Sequence, residues 1–167
     1  GYYDYNIDAG KTPVFFDDED SFGNSAVPGD GDQLLYATDF NQFEVLGEFG
    51  IKKGKVGFYL YGNLVKNTAA DSLDTGYLFG ATLKRGKGKG NFKLAVNYRE
   101  VEDDAVIGVF TDSDFRGGGT NGNGLEFGLG YGLADKADLG VSLFVNNKGI
   151  DEEIDYKRLM IDLKLKF

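Results

Sequence analysis

The sequence predicts an all-β protein built as an antiparallel up-and-down β-barrel. Three observations support this fold class: apolar and polar residues alternate along eight segments, the connections between segments alternate between long and short, and no segment combines helical periodicity with capping signals. Seven of the segments are about 8–12 residues long, more than the roughly 5–6 residues of an ordinary strand and enough for a strand tilted across a bilayer, and the first is shorter. We therefore expect one domain over residues 1–167, a transmembrane barrel closed by these eight strands or part of a barrel of about 16.

The eight segments follow one another along the chain, and each has an apolar face and a polar or glycine-rich face. In the last segment, for example, Ile161 falls on the apolar face and Asp162 on the polar one, as expected of a strand with a period of two. In the first segment, the apolar face is expected to carry Tyr3, Tyr5 and Ile7. The segments cover residues 3–8, 42–52, 56–64, 76–84, 92–99, 125–133, 138–146 and 158–167.

Charge is sorted between the two kinds of connection. The four long connections hold 19 acidic and 3 basic residues, whereas the three short ones, with Asp138 included, hold 8 basic and 2 acidic residues. A barrel with long loops on one side of a membrane and short turns on the other has two different aqueous ends and accounts for this sorting. The long connections are 9–39, 67–74, 100–123 and 147–155, and the short ones are 52–55, 84–90 and 134–137.

Composition excludes several function classes. The chain has no Cys and no His, which removes thiol chemistry, disulfides, and metal sites or catalytic triads that need these residues. A net charge of −9 argues against nucleic acid as a partner, and the basic stretch 84–89 is interpreted as a turn between strands. Acidic stretches 17–20 and 151–155 are interpreted as solvated loops, because neither carries the full Ca²⁺-loop pattern. We expect no enzyme activity, no catalytic residue, no metal and no cofactor.

Alternation alone does not say which face meets water. In a soluble ligand-binding barrel the apolar face points inward, and in a membrane barrel it points outward. Small residues such as Gly128 and Gly130 on the polar face, and Tyr and Phe near strand ends, favour the membrane arrangement. The polar face would then line a lumen, and its candidate lining residues are Glu44, Glu48, Tyr59, Tyr61, Lys93, Arg99, Glu126, Arg158 and Lys164.

The charged candidates predict a lumen network rather than catalysis. The carboxylates Glu44, Glu48 and Glu126 are expected to pair with Lys93, Arg99 and Arg158. In a closed eight-strand barrel such groups would plug the interior, and in a wider barrel they would line water. The connection 100–123 is long enough to fold inward, and its charged residues Asp112, Asp114 and Arg116 are the candidates for a constriction.

Two stretches resemble known outer-membrane proteins. Phe167, at the end of the last alternating segment, resembles the C-terminal signal that barrels present to their assembly machinery. From Asp104, an Asp-Ala-apolar run leads to Asp-Ser-Asp-Phe, three glycines and Thr-Asn, followed by the strand 124–133. This arrangement resembles the bacterial putative-porin family, and the similarity covers the chain from about residue 40 onward.

The resemblance implies a barrel in the outer membrane of a Gram-negative bacterium that passes small solutes by diffusion. Its expected partners are membrane lipid, the barrel-assembly machinery and small solutes, and a homo-oligomer or a protein partner stays open. Members of that family look about twice as long, so this chain would be the C-terminal half of such a barrel. The alternative is a small anchoring or partner-binding outer-membrane barrel with a plugged lumen.

Overall fold

The computed structural model describes residues 1–13, 19–151 and 154–166. In this part of the chain, eight strands form one antiparallel sheet in the order β1-β4-β5-β6-β7-β8-β9-β10, and β2 and β3 form a separate hairpin. Each strand of the large sheet pairs with the next one along the chain, apart from the inserted hairpin, so the predicted all-β meander is confirmed. The strands are β1 (Tyr2–Asp4), β2 (Ala26–Pro28), β3 (Leu34–Tyr36), β4 (Asn41–Lys53), β5 (Val56–Asn67), β6 (Thr75–Arg85), β7 (Phe92–Val101), β8 (Gly122–Ala134), β9 (Ala137–Lys148) and β10 (Ile154–Leu165).

Long and short connections lie at opposite ends of the sheet, as predicted. The short turns follow β4, β6 and β8, and the first of them needs only Gly54 and Lys55, with Gly54 in the left-handed region at φ +59°. The long connections follow β1, β5, β7 and β9. The one after β7 contains a single 3₁₀ turn, Gly108–Phe110. No helix in the described residues is long and apolar enough to cross a membrane.

The cross-strand register sorts side chains into continuous rows. One apolar row crosses seven strands through Ile51, Phe58, Leu83, Leu94, Leu129, Val141 and Ile161. Most of these side chains are exposed, and Ile161 keeps 68% of its surface accessible. The neighbouring row on the opposite face runs through Lys52, Gly57, Lys84, Lys93, Gly130, Gly140 and Asp162. The sheet therefore has one apolar face and one polar face over almost its whole width.

The buried core of the described residues is not on the apolar face of the sheet. It is a small cluster of Tyr36, Phe40 and Ile107, with Ile7 and Val109 packed against it, at the end that carries the long connections. The rings of Tyr36 and Phe40 meet edge to face, with their centroids 5.1 Å apart. A soluble barrel would bury its apolar rows, and this structure leaves them exposed.

The first strand differs from its prediction in length and in face. β1 spans only Tyr2–Asp4, and Tyr3 pairs with Gln42, which places Tyr3 on the polar face of the sheet. Tyr5 lies near the same side, where its ring centroid is 6.4 Å from that of Phe110. The assignment of these tyrosines to the apolar face was wrong, because alternation has no absolute phase and register with the neighbouring strand decides the face.

Both outer edges of the large sheet are unpaired in the described residues. β1 covers only the first three positions of β4, and no ladder joins β10 to β1 or β4. No Cα atom of β10 comes within 8 Å of either strand in this part of the chain. The sheet is therefore open here, and closure into a barrel stays a prediction.

Candidate functional site

All nine predicted lining residues lie on the same face of the sheet. The register opposes Glu48 to Tyr61 and Arg158 to Phe144, and continues along the same rows through the other strands. The nine are Glu44 and Glu48 on β4, Tyr59 and Tyr61 on β5, Lys93 and Arg99 on β7, Glu126 on β8, and Arg158 and Lys164 on β10. The phase of the alternation was thus predicted correctly for β4 to β10.

The rings of Tyr59 and Tyr61 lie flat against the polar face of the sheet and do not project from it. The ring of Tyr61 covers Gly80 on the neighbouring strand, where an added Cβ would stand 2.6 Å from Tyr61 Cζ. Tyr59 covers Gly57 in the same way, with 2.7 Å between the added Cβ and Tyr59 Cε2. These glycines therefore hold space for flat aromatic rings, and the rings take up little of the volume in front of the sheet.

The connection between β7 and β8, residues 102–121 and here called the crossing loop, lies against the polar face. Arg99 Nη1 on β7 is 3.4 Å from Asp112 Oδ2, and Arg158 Nη2 on β10 is 3.1 Å from Asp114 Oδ1. Arg158 also donates from Nη1 to the carbonyl of Ser113 over 3.4 Å. The loop thus reaches from β7 to β10, and two of its three predicted constriction residues contact wall arginines.

Arg116, the third predicted constriction residue, turns back into the loop. Its backbone N–H donates to Asn146 Oδ1 over 3.1 Å, and its Nη1 donates to the carbonyl of Gly118 over 3.0 Å. Burial lowers the pKa of the Arg116 guanidinium, and the nearby carboxylate of Asp103 opposes that shift. The backbone of Arg116 is in the left-handed region at φ +49°, a conformation that persists only where the surroundings enforce it. Arg116 therefore shapes the loop more than it faces the space in front of the sheet.

Two large apolar side chains, one in the crossing loop and one on the sheet, are buried on this side of the molecule. Phe115 is buried, and the Arg99 guanidinium stacks on its ring with 4.6 Å between Cζ and the centroid. Phe144 is also buried although it occupies a polar-face position of β9, between Glu126 and Arg158 in the register. Phe144 was not among the residues predicted from the sequence. The signal was available, since a large apolar residue stands where the alternation calls for a polar one.

The crossing loop is anchored by residues that the sequence analysis did not single out. Asn24, in the connection between β1 and β4, donates from Nδ2 to the carbonyls of Asp103 and Val106 over 2.6 and 2.8 Å. Its Oδ1 accepts the N–H of Gly108 over 2.7 Å. The adjacent Ser25 N–H donates to Asp104 Oδ1 over 2.9 Å. One long connection therefore holds the other in place through buried polar contacts.

The sequence predicted ion pairs between the carboxylates and the cations of the polar face. None of these pairs is found among the described residues. Glu126 Oε2 instead accepts a hydrogen bond from Asn97 Nδ2 over 2.9 Å, and Glu44 Oε1 accepts one from Asn63 over 2.6 Å. The register explains this difference, because Glu126 lies between Asn97 and Phe144 and has no basic residue directly opposite it on either strand. The arginines find their partners in the crossing loop.

Some predicted features cannot be placed. Phe167, the proposed assembly signal, lies outside the described residues, as do Asp17 and Asp18 of one acidic stretch and Glu152 and Glu153 of the other. Within the ranges that the structure describes, no three carboxylates come together in a way that could hold a metal ion.

Comparison with known proteins places this sheet in a family. A family model described as Putative porin matches residues 32–167, which is most of the chain. The chain belongs to the putative-porin family. The match spans β3 to β10 and includes both the crossing loop and the wall arginines that bind it. No curated protein sequence and no solved structure matches this porin-family chain.

Proposed function

We propose that this sheet forms part of the wall of a passive diffusion channel in the bacterial outer membrane, with no enzymatic role. The polar face borders water, the apolar face borders lipid, and the crossing loop narrows the passage. The position of the crossing loop carries the proposal, because a segment held against the polar face narrows any space which that face encloses. The partners proposed are membrane lipid, the barrel-assembly machinery and small solutes, with self-association or a protein partner left open.

The apolar face supports the lipid contact. Soluble proteins seldom expose a contiguous apolar patch larger than a few hundred Å². Here the exposed rows continue from β4 to β10, and those strands have between 10 and 13 residues each. A strand tilted in a bilayer needs about 9–11 residues to cross it, so the strand lengths suit the proposed environment.

The crossing loop also supports a wide barrel over a plugged one. In hydrocarbon every backbone edge must be paired, so the proposal requires partners for the outer edges of β4 and β10. An interior closed by eight strands is just wide enough for side chains, whereas porins with an aqueous channel have about 16–18 strands. The polar face here accommodates residues 102–121 in addition to its own side chains. We therefore favour further strands at both edges over direct pairing of β10 with β1.

Reconstitution tests the proposal directly. The protein, refolded in detergent with the strands that complete its barrel, from the same polypeptide or from further copies of it, should give stepwise ohmic conductance in planar bilayers, and its SDS gel mobility should shift on heating. A folded protein that inserts without conducting would overturn the channel proposal in favour of the anchoring barrel. A protein that stays soluble without detergent would overturn the membrane location as well.

A charge substitution tests which face borders water. Arg158→Gln removes the partner of Asp114 and leaves a net negative charge in the passage, so the cation-to-anion permeability ratio should rise. Lys157→Gln is the matched control, since Lys157 is the next residue on the same strand and faces the apolar side. Equal ratios for the two variants would contradict the assignment of faces.

A further inference from the structure

The turn end of the polar face carries a cavity distant from the crossing loop. Its volume is about 730 Å³, and it lies beside the turns that follow β4 and β6. Six basic side chains line it, together with Tyr59, Asn91 and four glycines, and no acidic residue does. The six are Lys52, Lys55, Lys84, Arg85, Lys87 and Lys89.

These cations lack acidic partners within the described part of the chain. None of the six takes part in any of the ion pairs there. The two carboxylates of the short connections lie beside the cavity without pairing with its cationic side chains. Asp138 binds Lys166 Nζ at 2.9 Å and accepts from Asn91 Nδ2 at 3.4 Å, and Asp135 accepts the backbone N–H of Lys89 at 3.1 Å. Lys84 Nζ instead stands 3.9 Å from the centroid of the Tyr59 ring. A concave site lined by one sign of charge concentrates counter-ions of the opposite sign.

The register shows what size of anion fits. Lys52, Gly57 and Lys84 form one cross-strand row on the polar face. Neighbouring strands lie about 4.8 Å apart, so the backbones of the two lysines are roughly 10 Å apart with a glycine between them. Two flexible ammonium groups at that separation can converge on an anion that carries more than one charged oxygen group. A single chloride offers both ammonium groups only one negative charge, whereas such an anion offers each its own charged oxygen group.

We propose that this cavity binds a small multivalent oxyanion, of the pyrophosphate or dicarboxylate class, from the aqueous side. The same oxyanion chemistry is present in phospholipid head groups, and the faces of the strands separate the two sources. Lys52 and Lys84 share the polar face, whereas the adjacent Lys53 pairs with Val56 on the apolar face. Arg85 borders the cavity but pairs with the same Val56, so the two polar-face lysines define the aqueous site. The site needs only the turn end of the sheet, so anion binding is expected whether or not the chain conducts ions.

Calorimetric titration of pyrophosphate into the detergent-solubilised full chain tests the proposal. Saturable binding is expected at low salt, and it should weaken as ionic strength rises from 0.05 to 0.5 M because screening shortens the range of the charges. Lys52→Gln combined with Lys84→Gln should weaken binding at least tenfold, because two charge-assisted contacts are lost. Lys53→Gln, which removes the same charge from the opposite face, should leave the affinity unchanged.

Three outcomes would overturn the site. One is a titration without saturation, and another is equal affinity of the double variant and the unaltered chain. The third concerns lipid. In that outcome, phosphatidylglycerol added to the micelles abolishes pyrophosphate binding, and in micelles without it Lys53→Gln weakens binding as much as the double variant does. That third result would assign the cations to head groups. Channel conductance, measured separately on the same variants, keeps failure of this site distinct from failure of the channel proposal.

Discussion

Replacing Asn24 by alanine is expected to release the crossing loop from the polar face. The Asn24 side chain makes three hydrogen bonds to the loop backbone, at Asp103, Val106 and Gly108. Asn24 and Gly108 are both buried, so water does not readily replace the lost partner. Alanine removes all three bonds and adds no steric conflict.

The magnitude follows from the number of bonds. A hydrogen bond within a protein stabilises it by a net free energy of about 1 kcal/mol, so the loss of three makes loop docking less favourable by about 3 kcal/mol. Each 1.4 kcal/mol is a factor of ten in an equilibrium constant, so the ratio of docked to released loop should fall by about 100-fold. The strands themselves lose no contact, and the sheet should stay intact.

Single-channel recording of the reconstituted full chain measures the effect. Asn24→Ala should raise the mean conductance and the open-channel noise, because the loop then leaves the passage more often. Asn147→Ala is the control: its Nδ2 donates to Asn123 Oδ1, over 3.2 Å, and it does not hold the loop. If Asn24→Ala folds, as judged by its heat-dependent gel mobility, and its currents match those of the control, the crossing loop does not limit the passage.

Three further predictions concern the loop, the wall and the acid response. Deleting residues 117–121 should also raise the single-channel conductance, and unchanged currents would refute a constriction here. Gly130→Val should lower conductance while changing stability by no more than about 1 kcal/mol, because an added Cβ meets only Lys93 Cβ at 3.4 Å. Hydrogen bonds from Lys66 Nζ at 2.6 and 2.8 Å lower the pKa of the Asp74 carboxyl. The stabilisation that this carboxylate gives to the fold is therefore complete above the ordinary carboxyl pKa of about 4, and it is lost as the pH falls through the lowered pKa. Asp74→Asn should therefore cost about 1 kcal/mol at pH 7 and reduce the acid-induced drop in melting temperature, and an unchanged drop would refute the assignment.

The strands from β4 to β10 could be predicted because their signal is local. Side chains alternate between two faces with a period of two, so Ile161 and Asp162 reveal their strand without knowledge of its neighbours. The same local pattern placed all nine lining candidates on one face. Loop direction was inferred only from length. In the structure Arg99 and Arg158 contact Asp112 and Asp114 of the loop, and a role of the loop as a constriction stays a prediction.

The remaining features depend on contacts between distant parts of the chain. Asn24 meets the crossing loop across 79 and more positions of sequence, and no local pattern marks it. The face of Tyr3 depends on its register with Gln42. The hairpin of β2 and β3 has only three residues in each strand, too few for a period to show, and a Pro lies at its edge.

If the protein inserts into a membrane as proposed above, the unpaired edge of β10 matters most before insertion. In plain water, a twelve-residue strand that exposes Leu159, Ile161 and Leu163 on one face, and whose outer edge is unpaired within the described residues, is a template on which a second copy can stack. Such stacking is bimolecular, whereas insertion of one chain into hydrocarbon is not. Dilution, or a chaperone that covers this strand edge, should therefore raise the yield of inserted protein. A high protein concentration without lipid should drive the chain towards fibrous precipitate.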